Sequence, residues 1–125
     1  MQLTEHRPGD HHIIRQAAAD LIVVDDQRFT RSLIVGARLL ESDWPVSSYD
    51  DLDASMIEPL LRHRPEVVLL AMGETQCFPP IELQREFLRA GVGLECMTVP
   101  AAARTFNVLM SENRRALAGF ILKPR

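Results

Sequence analysis

The sequence predicts a single α/β domain whose first half opens in antiparallel strands and whose second half closes as a βαβαβ unit. Three observations carry this. Val67-Val68-Leu69-Leu70-Ala71 is apolar at every position, as expected of a strand covered by layers on both faces. After it, two helical segments alternate with two short apolar runs, an order that gives parallel neighbours joined by right-handed crossovers. Before it, short β-type runs follow one another with a turn between them.

Taken in order, residues 1–12 hold Pro8-Gly9-Asp10 among polar neighbours, which predicts a flexible N-terminal arm before one domain over 13–125. The first strands are Ile13-Ile14, Leu21 to Val24, and a run from Phe29 through Val35, with Asp25-Asp26 turning between the last two. Gly36 to Asp51 reads as a long loop with one strand-like fragment at most, and loops of that length tend to carry functional surface. Ser55-Met56-Ile57-Glu58 has capping-box spacing, so a helix is expected from there to about Arg62, with Pro59 near its first turn. Val67 to Ala71 is the expected central strand. Gly73 to Phe78 is then a loop. Pro79-Pro80 opens a second helix with a buried stripe of Leu83, Phe87 and Leu88, which Gly91 ends. Leu94 to Met97 is expected beside the central strand, in parallel. A third helix over about Pro100 to Met110, capped by Thr98 or Val99, leads to a last strand from Ala116 to Leu122.

Composition bounds the function. The chain has 125 residues, 46% of them hydrophobic and 25% charged, which excludes disorder as the main description. A net charge of −3 argues against a general nucleic-acid binder. The signs are uneven, however. Six acids lie between Glu41 and Glu58 with no base among them, whereas from Arg104 onward there are five bases and one acid, Glu112. The second group is either a basic patch or a scattered solvated surface. Cys77 and Cys96 lack the spacing of a redox or zinc motif, so two free thiols and a cytoplasmic protein are expected. No apolar run approaches membrane-spanning length, and the polar N-terminus has no signal-peptide core, so no membrane insertion is expected.

The polar residues Arg104 and Asn107 share one helical face where a small domain would ordinarily be apolar, and Arg114-Arg115 follow closely. Two readings stay open. In one, Gly73, Gln76, Arg104 and Asn107 bind a small carboxylate or phosphate at the carboxyl end of the central strand, where open α/β sheets hold ligands and helix amino ends favour anions. In the other, Arg104 pairs with Glu74 or Glu95 and Asn107 bonds to neighbouring backbone. Cys77, just before the prolines, is the one weak candidate for a catalytic thiol, since a helix amino end lowers a thiol pKa. It has no base nearby in sequence, His63 being the sole histidine outside the arm. His6, His11 and His12 lack partners at metal-site spacing, so neither metal nor cofactor is expected. Trp44, Pro45, Val46 and Tyr49 are either an exposed partner anchor or a cap on the core.

Leu69-Leu70-Ala71-Met72-Gly73, Gly91-Val92-Gly93-Leu94-Glu95-Cys96-Met97 and Ala103-Arg104-Thr105-Phe106-Asn107-Val108-Leu109, followed by Glu112-Asn113-Arg114, resemble a family of small Mth-type domains of unknown function. Its named members include the mitochondrial complex I assembly factor 3 and an adipogenesis-associated protein. The resemblance runs from about Ile13 to Leu122, and the Arg-Thr-aromatic-Asn-Val-Leu segment is its most specific part. It implies a three-layer domain around a mixed central sheet with a small antiparallel layer. Where the family has Gly-Thr-Gly after the central strand, this chain has Met72-Gly73-Glu74, which removes one glycine from an anion cradle and adds an acid. Where the family has glycine before its final arginine, Asn113 stands here, and asparagine still adopts a left-handed turn. The resemblance implies a non-catalytic binding or assembly-type domain with a protein partner; the residues themselves suggest that it acts through a surface formed by the Trp44 loop, the Gly73 loop and the Arg104 helix, with Trp44 and Arg114 as interaction residues. A small-anion site or enzyme and a homo-oligomer are the alternatives.

Overall fold

The computed structural model describes residues 11–123. β1 (Ile14–Ala18), β2 (Leu21–Val24) and β3 (Gln27–Phe29) make a three-stranded antiparallel sheet in chain order. β4 (Leu33–Val35), β5 (Leu40–Glu41), β6 (Val67–Met72), β7 (Gly93–Met97) and β8 (Ala116–Ile121) form a five-stranded sheet in the order β5-β4-β8-β6-β7. Among the described residues there are also three helices, α1 (Ala54–Leu61), α2 (Ile81–Arg89) and α3 (Val99–Ser111), and a 3-10 turn at Tyr49–Asp51. β6 runs parallel to both β7 and β8, while β4 and β5 are antiparallel to their neighbours, so the sheet is mixed.

Side-chain alternation along the strands divides the core into two halves. Leu33, Val35, Leu69, Ala71, Ala116, Ala118 and Phe120 face α3 and the small sheet, meeting Ala102, Phe106, Ile14 and Ile22. Ile34, Val68, Leu70, Leu117 and Ile121 face the other way, onto Ile57 and Leu60 of α1, Leu83 and Phe87 of α2, and Trp44. The result is three layers with the mixed sheet in the middle. Because all six residues of β8 are buried, β8 takes the middle of the sheet and β6 lies one place toward the edge, beside β7.

Several local expectations need correction. The run Phe29 to Val35 is two strands in different sheets, β3 and β4. The chain is pinned at the crossing by buried Ser32, whose hydroxyl donates to the Val46 carbonyl and accepts from the Leu122 amide at 2.9 Å. The cap of α1 is Asp53, whose carboxylate accepts from the Met56 amide at 2.9 Å; Ser55 donates to that carboxylate and caps nothing itself. A reciprocal capping box does occur, between Ser48 and Asp51, on the 3-10 turn. Pro59 is the sixth residue of α1, and its missing amide leaves the carbonyl of exposed Ser55 without a helical partner. In α2, Leu83 and Phe87 are buried one turn apart, which turns Leu88 outward, 79% exposed.

The helix ends show how the turns were encoded. Gly91 has φ +71°, and the bonds from its amide to Leu88 and from the Val92 amide to Phe87 close α2 in a Schellman motif. Asn113 does the same for α3 at φ +57°, with bonds from its own amide to Met110 and from the Arg114 amide to Leu109. Asp25-Asp26 is the β2–β3 turn, with Asp25 at φ +54°.

Of the expected arm, residues 1–10 lie outside the described residues, His6 among them. His12 is held in place by its amide bonding to Ala37 and by its ring nitrogen Nδ1, 2.7 Å from the Asp25 carboxylate. Trp44 is 6% exposed, donates from Nε1 to the Met56 carbonyl at 2.9 Å, and lies against Gly119, where a Cβ would come within 3.1 Å of the indole. It caps the core and is not an exposed anchor. Tyr49 beside it is buried too, with its hydroxyl donating to Leu70.

Candidate functional site

The turn after β6 begins at Gly73, at φ +66°, a conformation few residues other than glycine adopt. Its carbonyl accepts from the Val99 amide at 2.8 Å, so the loop is tied to the start of α3, where the Thr98 hydroxyl accepts from Ala101. Farther along, the Gln76 amide donates to the Cys96 carbonyl at 3.1 Å, fastening the loop to β7. Gln76 therefore lies over the sheet edge, apart from α3.

Asn107 looks the opposite way. Its Oδ1 accepts from the Ile14 amide at 2.9 Å and its Nδ2 donates to the Ile14 carbonyl at 2.8 Å. The side-chain amide thus imitates a neighbouring strand for one residue of β1 and fastens the small sheet to α3. Both of its polar atoms are engaged, as in the structural alternative considered for it, though the partner is 93 positions away in sequence. Arg104, one turn earlier, is exposed in a shallow cavity of about 170 Å³ lined also by Arg15, Gln16 and Asn107. Among the described residues it makes no ion pair with Glu74 or Glu95. The four residues expected around one anion do not line one cavity: Arg104 and Asn107 share theirs, and Gln76 lines another.

Cys77 stands four residues before the first residue of α2, beyond the reach of the helix dipole, and its thiol contacts the Thr75 carbonyl at 3.6 Å. Cys96 is half-buried. Burial, with Glu95 and Cys77 nearby, pushes its thiol up to about 11. Both cysteines are free.

Two surfaces gather features the sequence reading did not join. On the first, Phe78, Ile81 and Leu88 are 65%, 58% and 79% exposed and line, with Val92 and Leu94, a cleft of about 520 Å³ between α2 and β7. Among the described residues β7 is the last strand of its sheet, with no strand along its outward edge. The Gly93 amide bonds to Glu66 on the β6 side, so alternation turns the backbone groups of Leu94 and Cys96 outward; Gln76 takes the Cys96 carbonyl. The exposed helical position of Leu88 was the missing signal, since Leu83 and Phe87 alone satisfy the buried stripe.

The second surface lies at the other end of β8. There Arg114 is 3.3 Å from Glu66, whose carboxylate also accepts from the Arg115 amide. That amide bond, followed by the Arg114 guanidinium, holds Glu66 below the usual carboxylate range. A cavity of about 730 Å³ opens beside them, bounded by the β4–β5 turn and by the turn from α3 into β8.

Among the described residues no helix is long and apolar enough to cross a membrane. Among curated proteins, the chain is 30% identical over 115 residues to a Francisella tularensis protein named 13 kDa major membrane protein, covering 91% of this chain and 94% of that one. It is 32% identical over 83 residues to the zebrafish (Danio rerio) NADH dehydrogenase 1 alpha subcomplex assembly factor 3, covering 65% of this chain and 48% of that protein. Among solved structures it resembles a Xanthomonas campestris protein at 37% identity and TM-score 0.83, over 98% of this chain and 92% of that one. It also resembles a Mth938-like domain of Bordetella pertussis at 26% identity and TM-score 0.78, over 99% and 95%. Residues 14–121 match the protein family of unknown function DUF498/DUF598, and the chain belongs to it.

Proposed function

We propose that this domain is a non-catalytic protein-interaction module of the assembly-factor type and that it holds an extended, apolar segment of a different protein on the α2–β7 face. The observation that carries the reading is the exposure of Phe78, Ile81 and Leu88 beside an open sheet edge. Three large apolar side chains on one cleft are a standing hydration cost that a partner removes, at about 25 cal/mol per Å² covered. The outward backbone groups of Leu94 add the directional hydrogen bonds of strand addition, and the neighbouring apolar side chains supply pockets for alternate residues of the incoming strand. The similarity to an assembly factor points the same way. Free Cys77 and Cys96 suit a reducing compartment, which supports a cytoplasmic setting for the interaction.

The small-anion or enzyme reading at Gly73 and Arg104 has less behind it, since Asn107 and Gln76 are already committed to backbone partners. Ile81→Asp and Leu88→Asp test the leading reading, because both side chains are outside the core and leave folding intact. Each variant is expected to lose the protein that co-purifies with the wild type from the native host, while Arg28→Ala on the small sheet retains it. Retention of every partner by both variants would refute the reading, and loss only of self-association would make the occupant a second copy.

A further inference from the structure

We infer that the 730 Å³ cavity between the β4–β5 turn and the α3–β8 turn binds a small organic anion that carries an apolar body. This site shares no lining residue with the α2–β7 cleft and stands independently of it.

The cavity combines two kinds of wall. Arg38, Arg114, Arg115, His11 and His63 supply the polar one, and Leu39, Pro65, Met110 and Leu117 the apolar one. Glu66, which does not line the cavity, pairs with the Arg114 guanidinium and accepts from the Arg115 amide. Among the described residues, the guanidinium groups of Arg38 and Arg115 have no carboxylate within 4.0 Å. In a chain of net charge −3, two arginines on one concavity with no carboxylate partner among the described residues form a local cationic site against the overall sign. Guanidinium forks recognise carboxylate and phosphate oxygens in a bidentate manner, which lysine would not do as well.

The fold prepares this concavity. Helix carbonyls at the end of α3 would repel an anion, but the Schellman bonds from Asn113 and Arg114 occupy those of Met110 and Leu109. Gly36 keeps the floor open for Leu117, since a Cβ there would lie 2.5 Å from the Leu117 side chain. The volume lies within the roughly 300–1,000 Å³ of pockets that take small organic ligands. A bare inorganic anion leaves the apolar wall unused, and a plain hydrocarbon leaves the arginines unpaired. A monoanionic or dianionic head on a short apolar chain uses both.

The test is titration of the full chain, labelled for amide chemical shifts, with octyl phosphate, octanoate, inorganic phosphate and octanol below their aggregation limits. The expected result is saturable binding of the two amphiphiles, with shifts centred on residues 36–39 and 114–117, at least about tenfold tighter than inorganic phosphate or octanol. Arg38→Ala with Arg115→Ala is expected to weaken the amphiphiles by about tenfold or more while leaving octanol unchanged; both residues are exposed, so the fold is retained. Octanol binding as tightly as octyl phosphate would overturn the inference, as would shifts outside this cavity or an unaltered affinity in the double variant. If octanoate fails and octyl phosphate binds, the head group is phosphate; the reverse result assigns a carboxylate.

Discussion

Removing the Asn107 side chain should detach the small sheet before it disturbs the large one. Asn107→Ala deletes two hydrogen bonds to Ile14, at 2.9 and 2.8 Å, and leaves the amide and carbonyl of a buried residue to find water. Each bond contributes about 1 kcal/mol net, and incomplete rehydration adds to the loss. Alanine's better helix propensity returns about 0.6 kcal/mol. The expected destabilisation is therefore about 2 kcal/mol. With an unfolding entropy near 2.1 cal/mol/K per residue, a chain of 125 residues has about 0.26 kcal/mol/K, so the melting temperature should fall by about 8 °C. Urea unfolding followed by far-UV circular dichroism measures the free energy, and native-state hydrogen exchange locates it: the amides of β1 should lose protection more than those of β6 or β8. Asn107→Asp should be at least as damaging, because it sets a carboxylate oxygen against the Ile14 carbonyl. Arg104→Ala, exposed one turn away, should stay within about 0.5 kcal/mol of wild type. An Asn107→Ala protein within that same margin, with β1 protection unchanged, would refute the idea that this side chain is a structural clamp.

Ser32→Ala removes one donor and one acceptor at the crossing between sheets and should cost about 1–3 kcal/mol in urea unfolding, with Ser32→Thr also destabilising because the site is buried. In a Cys77→Ser background, which removes the smallest of the three causes of its shift, Cys96 should react with a disulfide reagent at pH 8 about tenfold more slowly than an unperturbed thiol, since burial lowers its thiolate fraction by more than the greater nucleophilicity of a more basic thiolate restores; free-thiol kinetics would contradict its burial. Burial raises the Asp25 carboxyl, but the His12 ring and the Ile13 amide outweigh it and leave the group below the usual carboxylate range. Its stabilising contribution is therefore present above its unfolded value, near 3.8, and disappears as pH falls through the folded one. Asp25→Asn, which keeps the left-handed turn accessible, should flatten the loss of stability below about pH 4 seen by thermal melts.

Much of the architecture follows from patterns written locally. The βαβαβ half was legible because Val67 to Ala71 is apolar throughout and because Gly91 and Thr98 punctuate the helices where their geometry requires it. The antiparallel half was less so. Phe29 to Val35 has one continuous β pattern, and long-range pairings, of β3 with β2 and of β4 with β8, put its two ends in different sheets, with the Ser32 bonds to Val46 and Leu122 between them. The polar face of α3 was visible as an anomaly, but whether Asn107 serves a ligand or the backbone depends on a contact 93 residues distant. The second surface was divided in sequence among residues 38, 63 and 114–115, which no spacing rule connects. Trp44 illustrates the reverse case: a loop aromatic suggests an anchor until Gly119, more than seventy positions later, provides the hollow that receives it.

The most direct test of the interaction account places a photo-crosslinking amino acid at position 88 in the full chain, expressed in the native host, with the same group at position 28 as a control. The account predicts one dominant adduct with a different protein from position 88 and little from position 28. Equal, diffuse adducts from both positions would contradict it, as would an adduct from position 88 containing only a second copy of this chain.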